Sequence, residues 1–468
     1  MANERWQVHV LSFEGPDAYS RAGGIASRVA GLATAASTAG CDTHLWFIGD
    51  PALPGDERWE GVTLHRWGQW ISRYHPGGVY DGEEGKRADY VASLPPYLVE
   101  RFILPHLGAR DHRVAVLAEE WQTVDAVLHL DWLLARAGAR ERVAMLWNAN
   151  NTFGFDRVDW PRLARACTLS TVSRYMRQRM WSQGVDAIVI PNGSPADVFE
   201  RPASATVRRF RKLTGRRPVL SKVARWDPDK RWLLAVDTVA EMKRQGRRPL
   251  LVARGGVEAH GGEVRERVRR AGLRGVERAL PAAGAEGLLG VVEGTDDVDV
   301  LILTTPLDRE AAQLLFAASS AVLANSGHEP FGLVGLEAMA AGGVACVGGT
   351  GEDYAVPGWN ALVLQSTDPR EFVSVFARLA AHPDEGRALR RNALATAKRF
   401  TWTEVVRRVL VPRLTANVAP VDPAARPMQV ALERAAESPR AEPVHERRER
   451  AGRSRSLRLV DTGAGAGA

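Results

Sequence analysis

Residues 321–349 read AVLANSGHEPFGLVGLEAMAAGGVACVGG. An apolar run, AVLANS, gives way to a polar loop, a helical pattern and a second apolar run, VACVGG. Within the helical part, Leu333, Leu336 and Ala340 recur at helical spacing and predict a buried stripe. A strand, a helix and a strand in this order predict parallel pairing with the helix packed across the sheet. Two acids interrupt the apolar pattern. Glu329 stands just before Pro330 and Phe331, and Glu337 sits beside Leu336, close to the stripe that should be buried.

The same rhythm runs outward in both directions. Upstream in the same half lie VLSKVA (219–224), PLLVARG (249–255) and VDVLILTT (298–305), and downstream lies ALVLQ (361–365), with helical patterns between. An earlier series is built the same way: VHVLSF (8–13), THLWFIG (43–49), VAVLAEE (114–120), VAMLWNA (143–149), TLSTVS (168–173) and AIVIPNG (187–193). The chain is therefore expected to be α/β, with two doubly wound, Rossmann-like parallel-sheet domains facing a cleft. The expected boundaries are 1–200 for the first domain, 201–400 for the second, and 401–416 for a helix packing back across the domains. Residues 59–111 show little strand–helix rhythm and are expected to be an insertion around the first cleft. Residues 417–468 are rich in Pro, Ala, Glu and Arg, poor in aliphatics, and expected to be disordered.

The bulk composition excludes several classes. The 468 residues are too many for one core. Hydrophobic residues at 45% and charged residues at 25% are ordinary for a soluble globular protein. The net charge of +7 suits a phosphate-bearing partner, although mild excess charge is commonly surface chemistry. Three scattered cysteines argue against a disulfide framework, and His112, His129 and His260 lack metal-ligand spacing. The opening MANERWQVHVLSF lacks the apolar core of a signal peptide, and no run long enough to span a bilayer follows. A cytoplasmic protein without a transmembrane segment is expected, peripheral membrane contact remaining open. The basic stretch RRFRK (208–212) lacks interleaved aromatics, so no nucleic-acid partner is expected.

The chemistry concentrates in the second half. VLSKVA runs into ARWDPDKRW, which places Arg225 and Lys230 beyond a strand's carboxyl end, where doubly wound sheets hold ligands. The amides of Phe331, Gly332 and Leu333 should open the next helix, whose N-terminus favours anions; Pro330 has no N–H to lose there. Cations and amides suit a diphosphate, and ionised carboxylates suit the paired hydroxyls of a sugar. A nucleotide diphospho-sugar carries all of these groups. Taken singly, each feature has a plainer reading as a surface charge or a turn; the set is what points to a site.

ARWDPDK and HEPFGLVGLEAMAAGG resemble the donor-binding motifs of the retaining glycosyltransferases of family 4, relatives of the bacterial glycogen synthases. Glu329 and Glu337 fit the family's Glu, seven residues, Glu pattern. GGTGEDYAVPGWNALVL (348–364), TVSRYM, VIPNG (189–193) and SRAGGIASRVAGLA (20–33) resemble further family segments. The resemblance spans roughly residues 5–415 and implies the GT-B architecture. It implies that Glu329 lies by the donor sugar, that Glu337 binds the ribose, and that Arg225 and Lys230 hold the diphosphate. It also implies that Gly23 and Gly24 let backbone approach the phosphates. Arg225, Lys230 and Glu329 are then the expected catalytic residues, and Gly23, Gly24, Phe331, Gly332, Leu333 and Glu337 the expected donor-binding ones. The implied activity is metal-independent, cofactor-free, retaining transfer of a sugar to a carbohydrate or other hydroxyl acceptor. An α-glucan synthase or phosphorylase, or a catalytically weak sugar-nucleotide-binding regulator, are the alternatives. Two departures stand out. EEWQT (119–123) has Glu119-Glu120 where glycogen synthases have His-Asp, and MLWNANNTFG (145–154) has Trp147, Asn148, Asn150 and Asn151 where relatives often have a histidine.

Overall fold

The computed structural model describes residues 5–109 and 111–417. The expected disordered tail lies outside the described residues. The strands of the first sheet are β1 (Arg5–Leu11), β2 (Asp42–Ile48), β3 (Asp56–Trp59), β4 (Val62–Trp67), β5 (His112–Glu119), β6 (Val143–Ala149), β7 (Thr168–Thr171) and β8 (Ile188–Val189). Their order across the sheet is β3-β4-β2-β1-β5-β6-β7-β8. The second sheet contains β9 (Val219–Val223), β10 (Leu250–Arg254), β11 (Gly275–Arg278), β12 (Val300–Leu303), β13 (Ala321–Ala324), β14 (Ala345–Val347) and β15 (Leu362–Val363), in the order β11-β12-β10-β9-β13-β14-β15. All pairings are parallel except that of β3 with β4. The chain thus forms two doubly wound α/β domains, as the strand–helix rhythm predicts.

The central strands are buried on both faces, which is why they read as nearly unbroken apolar runs. Two regions departed from the sequence reading. Residues 59–111 are not simply an insertion: β4 is a full member of the first sheet, paired in parallel with β2. Its sequence VTLHRW hides this because His65 and Arg66 point into buried surroundings. They are tolerated there because each is partnered. His65 bonds Asp56, and Arg66 makes an ion pair with Asp17 through Nε (2.8 Å) and a second with Glu57. The strand β11, GVER, was missed because it is a half-exposed edge with one apolar residue.

Each sheet reverses its winding once. In the first, β1 has β2 on one side and β5 on the other; in the second, β9 lies between β10 and β13. These reversals open crevices at the carboxyl ends of β1/β5 and β9/β13. At the end of the second domain the chain returns to the first. Ser194 and Thr401 form a parallel bridge, with the Ser194 amide donating to the Phe400 carbonyl (2.7 Å) and the Trp402 amide to the Ser194 carbonyl (3.1 Å). Thr401 caps the helical segment that runs from Trp402 to Asn417, with a wide π turn over Val406–Leu410. Trp402, Val405, Val406, Leu410 and Leu414 pack into the core around β1, β2 and the helix Gly24–Thr38. A methyl group on Gly31 would lie 2.1 Å from the Trp402 indole nitrogen, so only glycine lets this helix dock.

Candidate active site

The second crevice holds the acids of the opening motif. Leaving β9, the chain forms a short turn, Pro228–Lys230, capped by the Asp227 carboxylate on the Asp229 amide. Leaving β13, it forms the loop Asn325–Gly332. The two loops are stapled together. Asp229 Oδ1 accepts the His328 amide (3.0 Å), and the Asp229 carbonyl accepts the Gly327 amide (2.7 Å). This places Lys230 Nζ 2.7 Å from Glu329 Oε2, with both side chains only partly shielded from solvent. Ser326 Oγ donates to the same carboxylate oxygen (2.8 Å). Beneath them Lys222 is fully buried, donates to the Leu323 carbonyl (2.9 Å), and is pushed down to about 7 by that burial.

The helix Leu333–Ala340 begins two residues later than Phe331. Gly332 precedes it in the left-handed conformation at φ 78°, which disfavours any other residue. Phe331 turns inward against Tyr354 and Phe400, and the Gly332 carbonyl accepts the Tyr354 hydroxyl. Leu333 and Glu337, one turn apart on the same face, line an interdomain cleft of about 860 Å³. Arg21, Arg28, Asn192, Arg309 and Trp402 line it as well. Burial pushes Glu337 up to about 7, with Arg309 opposing.

The expected residues therefore divide. Lys230 and Glu329 are in direct contact, and Leu333 and Glu337 share the cleft wall. Arg225 lies exposed at the end of β9, its carbonyl held by the Trp232 indole (2.7 Å). Among the described residues no ion pair joins it to Glu329 or Glu337. Gly23 caps the helix Gly24–Thr38, but its amide is already taken: Glu14 Oε2 accepts it at 3.0 Å, together with the Ala26 amide at 3.1 Å. The glycine loop is thus occupied by the protein's own carboxylate, whose other oxygen accepts the Tyr80 hydroxyl (2.7 Å).

The first crevice explains the two sequence departures. Arg28 and Glu119 form a buried ion pair at 3.0 Å. Asn148 and Asn150 both donate side-chain amides to Glu119 Oε2 (2.8 and 2.7 Å), and Asn192 accepts from Arg28 (2.8 Å). Asn148, Asn150, Asn192, Arg28 and Glu119 form one hydrogen-bonded set, so the replacements at 119, 148 and 150 belong together, while Asn151 accepts the Phe153 amide outside it. Glu120 next to it has φ 68° and ψ 165°, a conformation nearly confined to glycine. Its carbonyl accepts the Trp147 indole and the Thr123 hydroxyl, and its Oε1 accepts the Asn150 amide (2.7 Å). Burial pushes its carboxyl up to about 8. No sequence pattern marks this strain. Asp229, Ser326, Glu14 and Thr350 were likewise not singled out, since none sits in a telling spacing.

Similar solved structures include sucrose-phosphate synthase from Thermosynechococcus elongatus, at 19% identity and TM-score 0.61, covering 88% of this chain and 100% of that one. The catalytic domain of starch synthase IV from Arabidopsis thaliana, bound to ADP and acarbose, aligns at 15% identity and TM-score 0.59, over 86% of this chain and 100% of that one. Anabaena HepE in complex with UDP-glucose aligns at 15% identity and TM-score 0.56, over 88% of this chain and 99% of that one. The chain has the GT-B fold. No family model matches the GT-B chain described here. A 116-residue stretch, 24% of this chain, is 32% identical to D-inositol 3-phosphate glycosyltransferase of Thermobispora bispora; the match spans about a quarter (26%) of that relative's length. Among the described residues of this GT-B chain, no helix is long and apolar enough to cross a membrane.

Proposed function

We propose that the protein is a retaining glycosyltransferase that moves a sugar from a nucleotide diphospho-sugar to an acceptor hydroxyl. The observation that carries this reading is the Lys230–Glu329 pair at the reversal point of the second sheet, beside the start of the helix that bears Glu337. Ligands of doubly wound sheets bind at such points. The GT-B neighbours described with UDP-glucose, and with ADP and acarbose, are consistent with a donor of this class.

In this reading Lys230 meets the charge that grows on the leaving diphosphate, aided by Arg225 and by the amides that open the helix Leu333–Ala340. These groups supply the compensation without calling on a metal ion. Glu329 accepts a hydrogen bond from a donor-sugar hydroxyl while Lys230 and Ser326 fix its orientation. Glu337 accepts from the ribose hydroxyls. The acceptor occupies the first crevice, near Glu120 and Asn150, and its hydroxyl attacks from the face that the diphosphate leaves.

The test is release of nucleoside diphosphate from UDP-, GDP- and ADP-glucose over a panel of sugar and polyol acceptors, with the product's anomeric configuration read by NMR. Lys230→Ala is expected to lower kcat by roughly 10²–10³, the effect of removing one well-placed donor to a developing anion. Wild-type turnover in a folded Lys230→Ala protein would overturn the assignment.

A further inference from the structure

Behind the Lys230–Glu329 pair lies a third acid that the proposed chemistry does not use. Glu352 follows the Gly348-Gly349-Thr350-Gly351 turn after β14 and is 5% exposed. Its Oε2 accepts the Thr350 amide at 3.2 Å and lies 3.4 Å from the Thr350 hydroxyl. Thr350 Oγ1 in turn accepts the Glu329 amide at 2.9 Å. Glu329 Oε2 receives Lys230 and Ser326. The four residues Glu352, Thr350, Glu329 and Lys230 therefore form one chain of hydrogen bonds leading from the interior to the site.

The glycines around Glu352 leave room for it and for nothing more. A methyl group on Gly332 would lie 2.7 Å from Glu352 Cγ, and one on Gly351 would lie 2.1 Å from the Glu329 carbonyl. Glu352 Oε1 is buried and makes no hydrogen bond of ordinary geometry among the described residues, and the nearby amides of Glu352 itself and Gly348 only partly offset that burial. A buried carboxyl oxygen without a donor is costly as half of an anion, whereas a neutral acid tolerates the position far better.

We propose that Glu352 is a positioning residue that sets Glu329 through Thr350. Its second effect is to limit the negative charge in the pocket. Burial, with a contribution from Glu329, pushes Glu352 up to about 7. Below that pH the pocket contains the Lys230–Glu329 pair and a neutral neighbour. Above it, Glu352 is a second carboxylate beside Glu329, and the repulsion between them disturbs the orientation that Lys230 and Ser326 give to Glu329. The titratable groups that face it are Glu329 from the loop after β13 and Tyr354 on its own segment. This inference rests on the reading of Glu329 as the donor-sugar carboxylate, and its test separates the two.

The test compares Glu352→Ala, Glu352→Gln and Thr350→Val in the full chain. Glu352→Ala and Thr350→Val are expected to lower kcat by 10–100-fold at little-changed donor KM, the usual scale for a residue that orients another. Glu352→Gln is expected to recover most of the rate lost in Glu352→Ala and to remove the fall in rate above pH 7. Combining Glu352→Ala with Glu329→Ala should cost little more than Glu329→Ala alone. Equal kcat in Glu352→Ala and wild type, or full multiplicative loss in the double variant, would overturn the proposal. Crystal structures of wild type and Glu352→Ala supply a reading that needs no turnover. Loss of the 2.7 Å Lys230–Glu329 contact in the variant supports the proposal even if none of the three nucleotide sugars is a substrate. A variant that keeps this contact and the Glu329 amide on Thr350 sinks it.

Discussion

At the residue scale, Glu337 is expected to make the proposed donor site pH-sensitive, in a direction set by its burial. Its carboxyl is pushed up to about 7 by burial, so it is largely neutral at pH 6 and ionised at pH 8. An ionised carboxylate accepts paired hydroxyls better than a neutral one. Donor KM is therefore expected to fall as pH rises through about 7, and Glu337→Gln should flatten that slope. Stability runs the other way. A raised acid favours the folded state below its ordinary range, and that contribution is lost as pH rises through about 7. Comparing denaturation of wild type and Glu337→Gln at pH 6 and 8 checks the sign. Gly332 offers a test of geometry instead of charge. Alanine there must adopt φ 78° and meet Glu352 at 2.7 Å, so Gly332→Ala is expected to cost about 1–3 kcal/mol in urea unfolding. The pair of acids was legible in the sequence because seven residues separate Glu329 from Glu337 around a helix start. The occupation of the Gly23 amide by Glu14 was not, because nothing in a glycine pair says whether its donors face a ligand or the protein's own side chain.

At the element scale, the strands easiest to read were those with both faces covered, since their apolar runs leave no other reading. β4 escaped because its buried His65 and Arg66 look like surface residues until Asp56, Asp17 and Glu57 are seen to partner them. β11 escaped because an edge strand has little to bury. The helix after Phe400 was legible as a helix, but its partner was not. Its docking depends on Gly31 and Gly193, which lie 371 and 209 positions upstream of Trp402 and leave space for the indole. Trp402→Ala should therefore cost about 3–5 kcal/mol, the range for removing a buried aromatic side chain. Because Trp402 packs on the first domain although it follows the second, the loss should appear in protection of β1 and β2 amides from hydrogen exchange.

At the scale of the whole molecule, the two sheets have their reversal points in different chain segments, and a nucleotide that binds there as proposed is expected to stabilise the folded chain. UDP, GDP or ADP at 100 times its Kd should add about 2.7 kcal/mol to the apparent stability, read as an upward shift in Tm of about 2–4 °C. The donor base is identified by which nucleotide produces the shift. The Ser194–Thr401 bridge adds a mechanical consequence. The polypeptide passes between the domains near these two residues, and the passes are hydrogen-bonded to each other, so they act as a single hinge pin. Sliding one domain over the other would tear that bond pattern, whereas swinging about it would not. Any relative motion of the two domains is therefore expected to be a rotation about this bridge.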